Sequence, residues 1–350
     1  METFHATAVS RDRGGPAQPL LSVCNLVKHF GGRRAWSGGV RGAVRAVDGI
    51  SFSVAKGETL GIVGESGCGK STLARLIMQI IPLDAGELLF DGEAVGASKF
   101  DLTAYRREVQ MVFQDSYASL NPRLIVEDTV AFGPRAHGLT RRTAIARARD
   151  LIARVGLEPA RFAARYPHEL SGGQRQRVNI ARALAMQPRL IILDEAVSAL
   201  DKSVEAQVLN LLLDIKAEFG LTYMFISHDL NVVRFMSDRV MVMYLGKLAE
   251  VGPSDVILAE PRHPYTAALL ASMPSIDPDR RTTEAPLAGD PPSPVDPPSG
   301  CRFHPRCKFA APACSLTVPP LAEISSTHDV ACLMAIPGSG HPQAGMPEAA

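Results

Sequence analysis

The stretch that decides the fold reads Gly64-Glu65-Ser66-Gly67-Cys68-Gly69-Lys70-Ser71-Thr72. The apolar run at residues 60–63 predicts a buried strand before it, and residues 72–78 have helical spacing after it. A strand, a glycine-rich turn and a helix form the context in which the pattern G-x-x-x-x-G-K-[ST] binds phosphate. Glycines let backbone N–H groups approach the phosphate oxygens, and the start of the helix presents its positive dipole end to the same anion. The sequence therefore predicts a nucleoside triphosphate site.

Two residues of this stretch have predicted chemical roles. Lys70 is expected to reach the β- and γ-phosphates, and the Ser71 hydroxyl is expected to ligate Mg²⁺. The remaining residues are predicted to line the nucleotide: Gly64, Glu65, Ser66, Gly67, Cys68, Gly69 and Thr72.

A second apolar run, residues 190–193, ends in two carboxylates, Asp194 and Glu195. A buried parallel strand delivers its last residues to the ligand edge of the sheet. That placement suits Asp194 for Mg²⁺ and Glu195 for positioning or deprotonating an attacking water.

Three further features favour the same edge. Ser171 is a plausible N-cap, and the glycines after it expose N–H donors to an anion. His228 follows another apolar run, at residues 221–227, which favours a contact with the γ-phosphate. Phe30 ends a predicted first strand and suits stacking on a nucleobase, although an aromatic at a strand end more often packs against its neighbours.

The composition limits the other possibilities. Thirty-seven basic and thirty-six acidic residues give a net charge of +1, which does not favour nucleic acid or an anionic membrane surface. The first 18 residues contain no apolar signal-peptide core, and no apolar run is long enough for a membrane span. We therefore expect a soluble protein. Six cysteines in such a chain point to metal or redox roles.

Together, residues 64–72, 170–174, 190–195 and 198–201 with Gln114 and His228 resemble the nucleotide-binding subunit of an ABC transporter. The order and spacing match over residues 20–255, and Leu-Ser-Gly-Gly-Gln at residues 170–174 is the discriminating element. The resemblance implies an α/β fold of the P-loop NTPase type, with a mixed sheet flanked by helices and an antiparallel β subdomain. It also implies a helical signature subdomain at about residues 115–185.

The resemblance assigns roles residue by residue. Gln114 joins Ser71 and Asp194 at Mg²⁺ and faces the coupling helix of the membrane subunit. Lys70, Glu195 as general base and His228 at the γ-phosphate are intact, so an active ATPase is expected. Phe30 matches the adenine-stacking aromatic, and Asp201 belongs to the loop that couples paired sites. Ala196 and Ser116 stand where relatives commonly carry proline, and neither change removes a catalytic group.

The resemblance also implies that the ATP site is shared between two chains. The residues expected to complete the site of the opposite subunit are Ser171, Gly172, Gly173 and Gln174. This chain alone is therefore expected to hydrolyse ATP poorly.

Residues 253–336 are similar to the C-terminal extension of the ATPases of dipeptide and oligopeptide importers. The insertion after Phe30 and residues 46–49 favour the second of the two paired ATPases. The implied organisation is a disordered start (1–19), an ATPase domain (20–255), the extension (256–336) and a disordered tail (337–350). The implied partners are a second ATPase (in a heterodimer or homodimer), two transmembrane permease subunits and an extracytoplasmic substrate-binding protein. The implied location is the cytoplasmic face of the inner membrane.

The extension contains four cysteines, Cys301, Cys307, Cys314 and Cys332, separated by five, six and seventeen residues. Small modules with little core often need a metal to fold, and four thiolates suit Zn²⁺ or an iron–sulfur cluster. The spacing alone leaves the metal open, and the resemblance favours a [4Fe–4S] cluster. Zn²⁺ and four free or partly paired thiols without a metal are the alternatives. His304 and His328 are candidate outer donors or surface residues. Cys24 is predicted to be buried in a strand.

Two alternatives concern function. The same mechanism can serve nickel, glutathione or an oligosaccharide, because cargo is selected mainly by the binding protein and the permease. A non-transport ABC ATPase acting on DNA or ribosomes is disfavoured, because the chain has one cassette, no basic excess and no room for a coiled-coil arm between Lys70 and Ser171.

Overall fold

The computed structural model describes residues 18–31, 33–34, 40–97, 100–273, 287, 289–325 and 327–345. Residues 1–17 and 346–350 of the predicted disordered ends lie outside this part of the chain, as do residues 32 and 35–39 of the insertion after Phe30. The chain divides into two units. The first unit contains residues up to Ser22, Ser53–Thr59 and Leu89–Ser227, and the second contains Val23–Phe52, Leu60–Leu88 and the residues from His228 onward.

The secondary structure follows the sequence pattern closely. The strands are β1 (Leu21–Phe30), β2 (Arg33–Arg34), β3 (Val40–Arg41), β4 (Val44–Val54), β5 (Thr59–Val63), β6 (Ala85–Phe90), β7 (Glu93–Ala94), β8 (Val109–Val112), β9 (Leu190–Asp194), β10 (Thr222–Ile226), β11 (Arg239–Tyr244), β12 (Lys247–Pro253), β13 (Ala322–Ser325) and β14 (His328–Val330). The helices are α1 (Lys70–Ile77), α2 (Leu102–Glu108), α3 (Val126–Ala136), α4 (Arg141–Arg154), α5 (Pro159–Phe162), α6 (Gly172–Leu184), α7 (Lys202–Phe219), α8 (Leu230–Met236), α9 (Ser254–Ala259), α10 (Pro264–Ala271) and α11 (Pro312–Leu316), with 3-10 turns at Pro167–Glu169, His304–Arg306 and Leu333–Ala335.

The first unit is built on the parallel strands β8, β9 and β10. β9 lies between the other two, with Leu190 opposite both Thr222 and Val109. Every residue of β9 and β10 is buried, as expected for parallel strands that are covered on both faces. The register places Asp194 opposite Ile226 at the carboxyl edge.

The helical part of the first unit is a cluster of α3, α4 and α6 that pack on one another. Its helices are interrupted at Gly138 and Gly156, which adopt positive φ angles of 93° and 76°, respectively. A capping box formed by Ser171 and Gln174 starts α6 at Gly172.

The second unit contains strands of both directions. β5 pairs in parallel with β11, and β11 forms an antiparallel hairpin with β12. β1 lies between β4 and β6 in a separate sheet. β4 is one continuous strand, because Gly49 accommodates a φ of 78° within it.

The C-terminal extension is joined to this unit by strand pairing. β14 pairs antiparallel with β12, and β13 pairs with β14. The sequence pattern did not predict these two strands. No helix in the described part of the chain is long and apolar enough to cross a membrane.

Candidate functional site: a nucleotide site and a four-cysteine cavity

The phosphate loop connects β5 to α1 in the second unit, as predicted. Gly64 and Gly69 have φ angles of 148° and 109°, a region that only glycine adopts readily. A Cβ at Gly64 would lie 2.2 Å from the Met243 carbonyl oxygen, and one at Gly69 would lie 2.1 Å from that of Ala46. Both glycines are therefore required by close backbone packing as well as by conformation.

Lys70 begins α1, and its ammonium group lies inside the loop. Its Nζ donates hydrogen bonds to the carbonyl oxygens of Gly64 (2.7 Å) and Glu65 (3.0 Å). Cys68 is buried beside it, and burial raises the pKa of this thiol. A buried, protonated thiol suits packing.

Glu65 is the most heavily bonded residue of the loop. Its backbone N–H donates to the Tyr265 hydroxyl at 2.9 Å. Its carboxylate accepts two bonds from the Arg306 guanidinium, at 2.7 and 3.1 Å. Both partners lie in the C-terminal extension, and the sequence analysis identified neither. The only signal was the position of Arg306 directly before Cys307.

Phe30 ends β1 and is 39% exposed, so its ring is accessible for stacking. Lys28 Nζ lies 5.5 Å from the ring centroid. The adjacent His29 contacts Asp48 at 2.9 Å, and Asp48 also accepts a hydrogen bond from the buried guanidinium of Arg302. Burial alone would raise the pKa of Asp48, but His29, Arg302 and Lys247 together lower it.

His228 is the second residue after β10, and its side chain is exposed. The next residue, Asp229, caps α8 by accepting hydrogen bonds from the N–H groups of Asn231 and Val232. This cap fixes the backbone directly after His228.

The carboxylate pair and Gln114 come together in the first unit. Asp194 is buried at the end of β9. Glu195 has a φ of 48°, which is uncommon for a non-glycine residue, and its carboxylate accepts a hydrogen bond from Gln114 Nε2 at 2.8 Å. Its backbone is fixed by a bond from its N–H to Ile226 and one from the Ser198 hydroxyl to its carbonyl oxygen. Such a strained residue held on all sides is typical of functional sites.

The signature segment begins α6. The Ser171 hydroxyl accepts from the Gln174 N–H at 3.3 Å, and the Gln174 side chain accepts from the Ser171 N–H at 3.0 Å. This confirms Ser171 as the N-cap. Gly173 is buried against α7, since a Cβ there would lie 2.4 Å from a Val204 methyl group. Ser171 itself is exposed.

The loop after Gln114 is bonded to α6. Asn179 donates to the Ser116 carbonyl oxygen at 3.1 Å and accepts from the Ser119 hydroxyl at 3.0 Å. The Arg182 guanidinium donates to the Ser119 carbonyl oxygen. Arg175 lies over the ring of Tyr117, 5.5 Å from its centroid. We call residues 114–120 the glutamine loop.

The four cysteines of the extension line one small cavity in the second unit, which is partly open to solvent. Its lining consists of Cys301, Cys307, Cys314, Cys332, His263, Pro264, Phe303, His304, Phe309, Leu333, Met334 and His341. All six cysteines of the chain are free thiols. Among the described residues, no group of three or more Cys, His, Asp or Glu side chains is arranged to hold a metal ion.

The thiols influence one another. Burial, with repulsion from Cys301 and Cys314, raises the pKa of Cys307 to about 11. Burial, with repulsion from Cys301 and Cys307, raises the pKa of Cys332 to about 12. A cation in the cavity would favour the thiolates that these surroundings disfavour.

Two predictions about individual residues were wrong. Cys24 lies on β1 but is exposed, because it points to the outer face of the strand. His328 is buried away from the cavity lining and bonds Glu250 at 2.8 Å, so it is a core residue of β14 and not an outer donor. His304 does line the cavity, and its Nδ1 lies 2.8 Å from the Cys301 carbonyl oxygen.

Two family models match the chain. The ABC transporter model matches residues 47–198, and the model described as the oligopeptide/dipeptide transporter C-terminal region matches residues 249–314. The first covers the phosphate loop, the signature and the carboxylates, and the second covers three of the four cysteines and Arg306.

Relatives match almost end to end. A probable peptide ABC transporter ATP-binding protein of Sinorhizobium fredii is 52% identical, covering 91% of each chain. The oligopeptide transport ATP-binding protein AppF of Bacillus subtilis is 48% identical, covering 90% of this chain and 97% of that protein.

A solved structure confirms the fold. The ATP-binding cassette MJ0796, described as a dimer in a post-hydrolysis state with ADP and Pi, is 28% identical with a TM-score of 0.58, covering 67% of this chain and 98% of that one. The predicted α/β fold of the ABC ATPase type is therefore correct. With its motifs, its architecture and its extended relatives, this chain belongs to the family of ABC transporter ATP-binding proteins, in the group that carries the oligopeptide/dipeptide transporter C-terminal region.

Proposed function

We propose that this chain hydrolyses ATP to energise the import of dipeptides or oligopeptides through a membrane permease. The observation that carries the proposal is the phosphate loop of an ABC ATPase joined to the extension that matches the oligopeptide/dipeptide transporter model. The names of the relatives support peptides over nickel, glutathione or an oligosaccharide as the cargo.

In this proposal the phosphates of ATP bind the loop N–H groups and Lys70, and the adenine stacks on Phe30. Ser71, Gln114 and Asp194 hold Mg²⁺, which offsets the charge of the phosphates. Glu195 takes the proton of the attacking water, and His228 contacts the γ-phosphate. The strained backbone of Glu195 and its bond from Gln114 support this role, because both fix the direction of the carboxylate.

The chain works as half of a pair. Ser171, Gly172, Gly173 and Gln174 complete the ATP site of a second ATPase subunit, and the exposed position of Ser171 supports such a contact. The permease docks on the glutamine loop, where Tyr117 is 53% exposed. An extracytoplasmic binding protein delivers the peptide, and the ATPase pair acts at the cytoplasmic face of the inner membrane.

Replacing Lys70 by Ala tests the nucleotide site. We expect the Kd for ATP to rise by about 100-fold, because a charge-assisted contact with the phosphates is lost inside the loop. Titration calorimetry with ATP measures this, and Lys202→Ala, which removes an exposed lysine paired with Glu205, is the matched control. Unchanged ATP affinity in Lys70→Ala would contradict the site.

The cargo is tested with the complete transporter in membrane vesicles. Labelled di- and oligopeptides should accumulate with ATP when the wild-type chain is present, and not with Lys70→Ala. Accumulation of nickel, glutathione or an oligosaccharide in place of peptides would reject peptide import while leaving the ATPase intact.

We further propose that Cys301, Cys307, Cys314 and Cys332 ligate a [4Fe–4S] cluster. Four free thiols around one largely apolar cavity support it, since such clusters are held by four cysteine thiolates. A cluster held by these four residues would crosslink three segments of the extension.

Cys307→Ser tests this assignment. Protein purified without oxygen is expected to hold about four iron atoms per chain and to show a broad visible absorption band, and Cys307→Ser is expected to lose both. Cys24→Ser, which removes an exposed thiol on β1, should keep both. Zinc in place of iron, or no metal, in the wild-type protein would reject the cluster.

A further inference from the structure

Arg306 lies on the 3-10 turn between Cys301 and Cys307, and its side chain is only 5% exposed. Its guanidinium makes the two bonds to the Glu65 carboxylate described above, and it also donates to the Tyr244 hydroxyl at 3.3 Å and the Gly289 carbonyl oxygen at 3.1 Å. The paired bonds to Glu65 have the bidentate geometry that distinguishes arginine from lysine.

Each polar group of Glu65 has a partner. The carbonyl oxygen accepts from Lys70, the N–H donates to Tyr265 and the carboxylate accepts from Arg306. Tyr265 is fully buried, and its ring packs with those of Tyr244 and Phe303, with centroids 4.6 and 5.3 Å away. Two of the groups that fix Glu65, the Tyr265 hydroxyl and the Arg306 guanidinium, therefore belong to the extension.

A carboxylate in a loop that binds phosphate is electrostatically unfavourable, because like charges repel strongly where water is partly excluded. The side chain of Glu65 is 21% exposed, so solvent screens it incompletely. Its pairing with a guanidinium neutralises the carboxylate. The phosphates then face the partial positive charges of the backbone N–H groups without a nearby net negative charge.

We propose that Arg306 is a positioning residue of the ATP site, which neutralises and orients Glu65 and so makes the C-terminal extension part of the nucleotide site of its own chain. This inference rests on the proposed binding of ATP at residues 64–72, and it is independent of the cargo. Its consequence is specific: Arg306 governs the affinity for ATP and leaves the chemical step to other residues.

Arg306→Gln leaves Glu65 unneutralised, and we expect the Kd and KM for ATP to rise by about ten-fold, equivalent to about 1.4 kcal/mol. The kcat at saturating ATP should change by less than about two-fold, because the lost interaction acts on binding. Titration calorimetry and steady-state kinetics of the assembled transporter measure these values. Arg306→Lys should restore part of the affinity, since it returns the charge without the paired bonds.

The decisive variant carries both Arg306→Gln and Glu65→Gln. If charge neutralisation is the mechanism, removing the carboxylate restores ATP affinity to within about three-fold of the wild type, because no uncompensated charge remains. Arg262→Gln, which removes an exposed pair with Glu260 in the extension, is the control and should not alter ATP affinity.

Folding is checked by the thermal midpoint and by iron content, measured on every variant. The expected result is that the double variant recovers ATP affinity while its thermal midpoint and iron content equal those of Arg306→Gln. That result supports the proposal, because a general loss of structure would leave the affinity low. A double variant as weak as Arg306→Gln, or an Arg306→Gln protein with wild-type Kd and KM, would overturn it. Failure of ATP to bind the wild-type protein would instead reject the nucleotide site itself.

Discussion

Glu195→Gln is expected to lower the ATP turnover of the assembled transporter by at least about 100-fold while leaving the Kd for ATP within about three-fold, because a positioned general base contributes on this scale and the amide cannot accept the proton. Gln has the same shape as Glu and retains an oxygen that can accept the bond from Gln114 Nε2. The strained backbone at this position is held by Ile226 and Ser198, so the substitution changes the chemistry without displacing the side chain.

Phosphate release measured at saturating ATP, together with titration calorimetry, separates these two quantities. Glu260→Gln removes an exposed carboxylate and is the matched control, expected to keep wild-type turnover. Turnover of Glu195→Gln near the wild-type rate would exclude Glu195 as the base.

Ser171→Arg has the second large effect. It places a long cation at the exposed start of α6, where the proposal brings the nucleotide of the opposite subunit. We expect loss of at least about 90% of the ATPase activity of the pair, with unchanged ATP affinity for the isolated chain, because a side chain too large for the interface blocks its closure.

Ser171→Arg also removes an N-cap, which alone costs about 1 kcal/mol of stability. Thr140→Arg controls for that cost, since Thr140 caps α4 in the same unit through an equal 3.3 Å bond from the Thr143 N–H. We expect Thr140→Arg to have the same thermal midpoint as Ser171→Arg and to retain the ATP turnover of the wild type. Equal loss of activity in both variants would show that the cap, and not an intersubunit contact, matters.

The parts of the fold that could be predicted are those that depend on residues close together in the sequence. The phosphate loop between β5 and α1 was predictable because the glycines, the apolar strand and the helix lie within one short segment. The carboxylates at the end of β9 and the N-cap at Ser171 were predictable for the same reason. The exposure of Cys24 was missed because a strand with mixed burial does not reveal which face is covered.

The contacts of the extension could not be predicted. The bond from Arg306 to Glu65 joins positions 241 residues apart, and the pairing of β14 with β12 is similarly non-local. Such contacts depend on the tertiary arrangement, for which charge pattern and periodicity give no register. The convergence of the four cysteines was expected from their number and the resemblance, while the aromatic and apolar lining of their cavity emerged only from the structure.

The bonds between the glutamine loop and α6 have a mechanical consequence. Asn179 and Arg182, one turn apart on α6, donate hydrogen bonds to the carbonyl oxygens of Ser116 and Ser119 in the loop. Ser171 caps the start of that same helix. We therefore expect a movement of the loop to displace Ser171 with little deformation of α6, because a hydrogen-bonded helix hardly shortens or bends over this distance. In the assembly proposed above, work done where the permease docks on the loop would therefore reach the nucleotide of the neighbouring subunit as a rigid-body movement of α6.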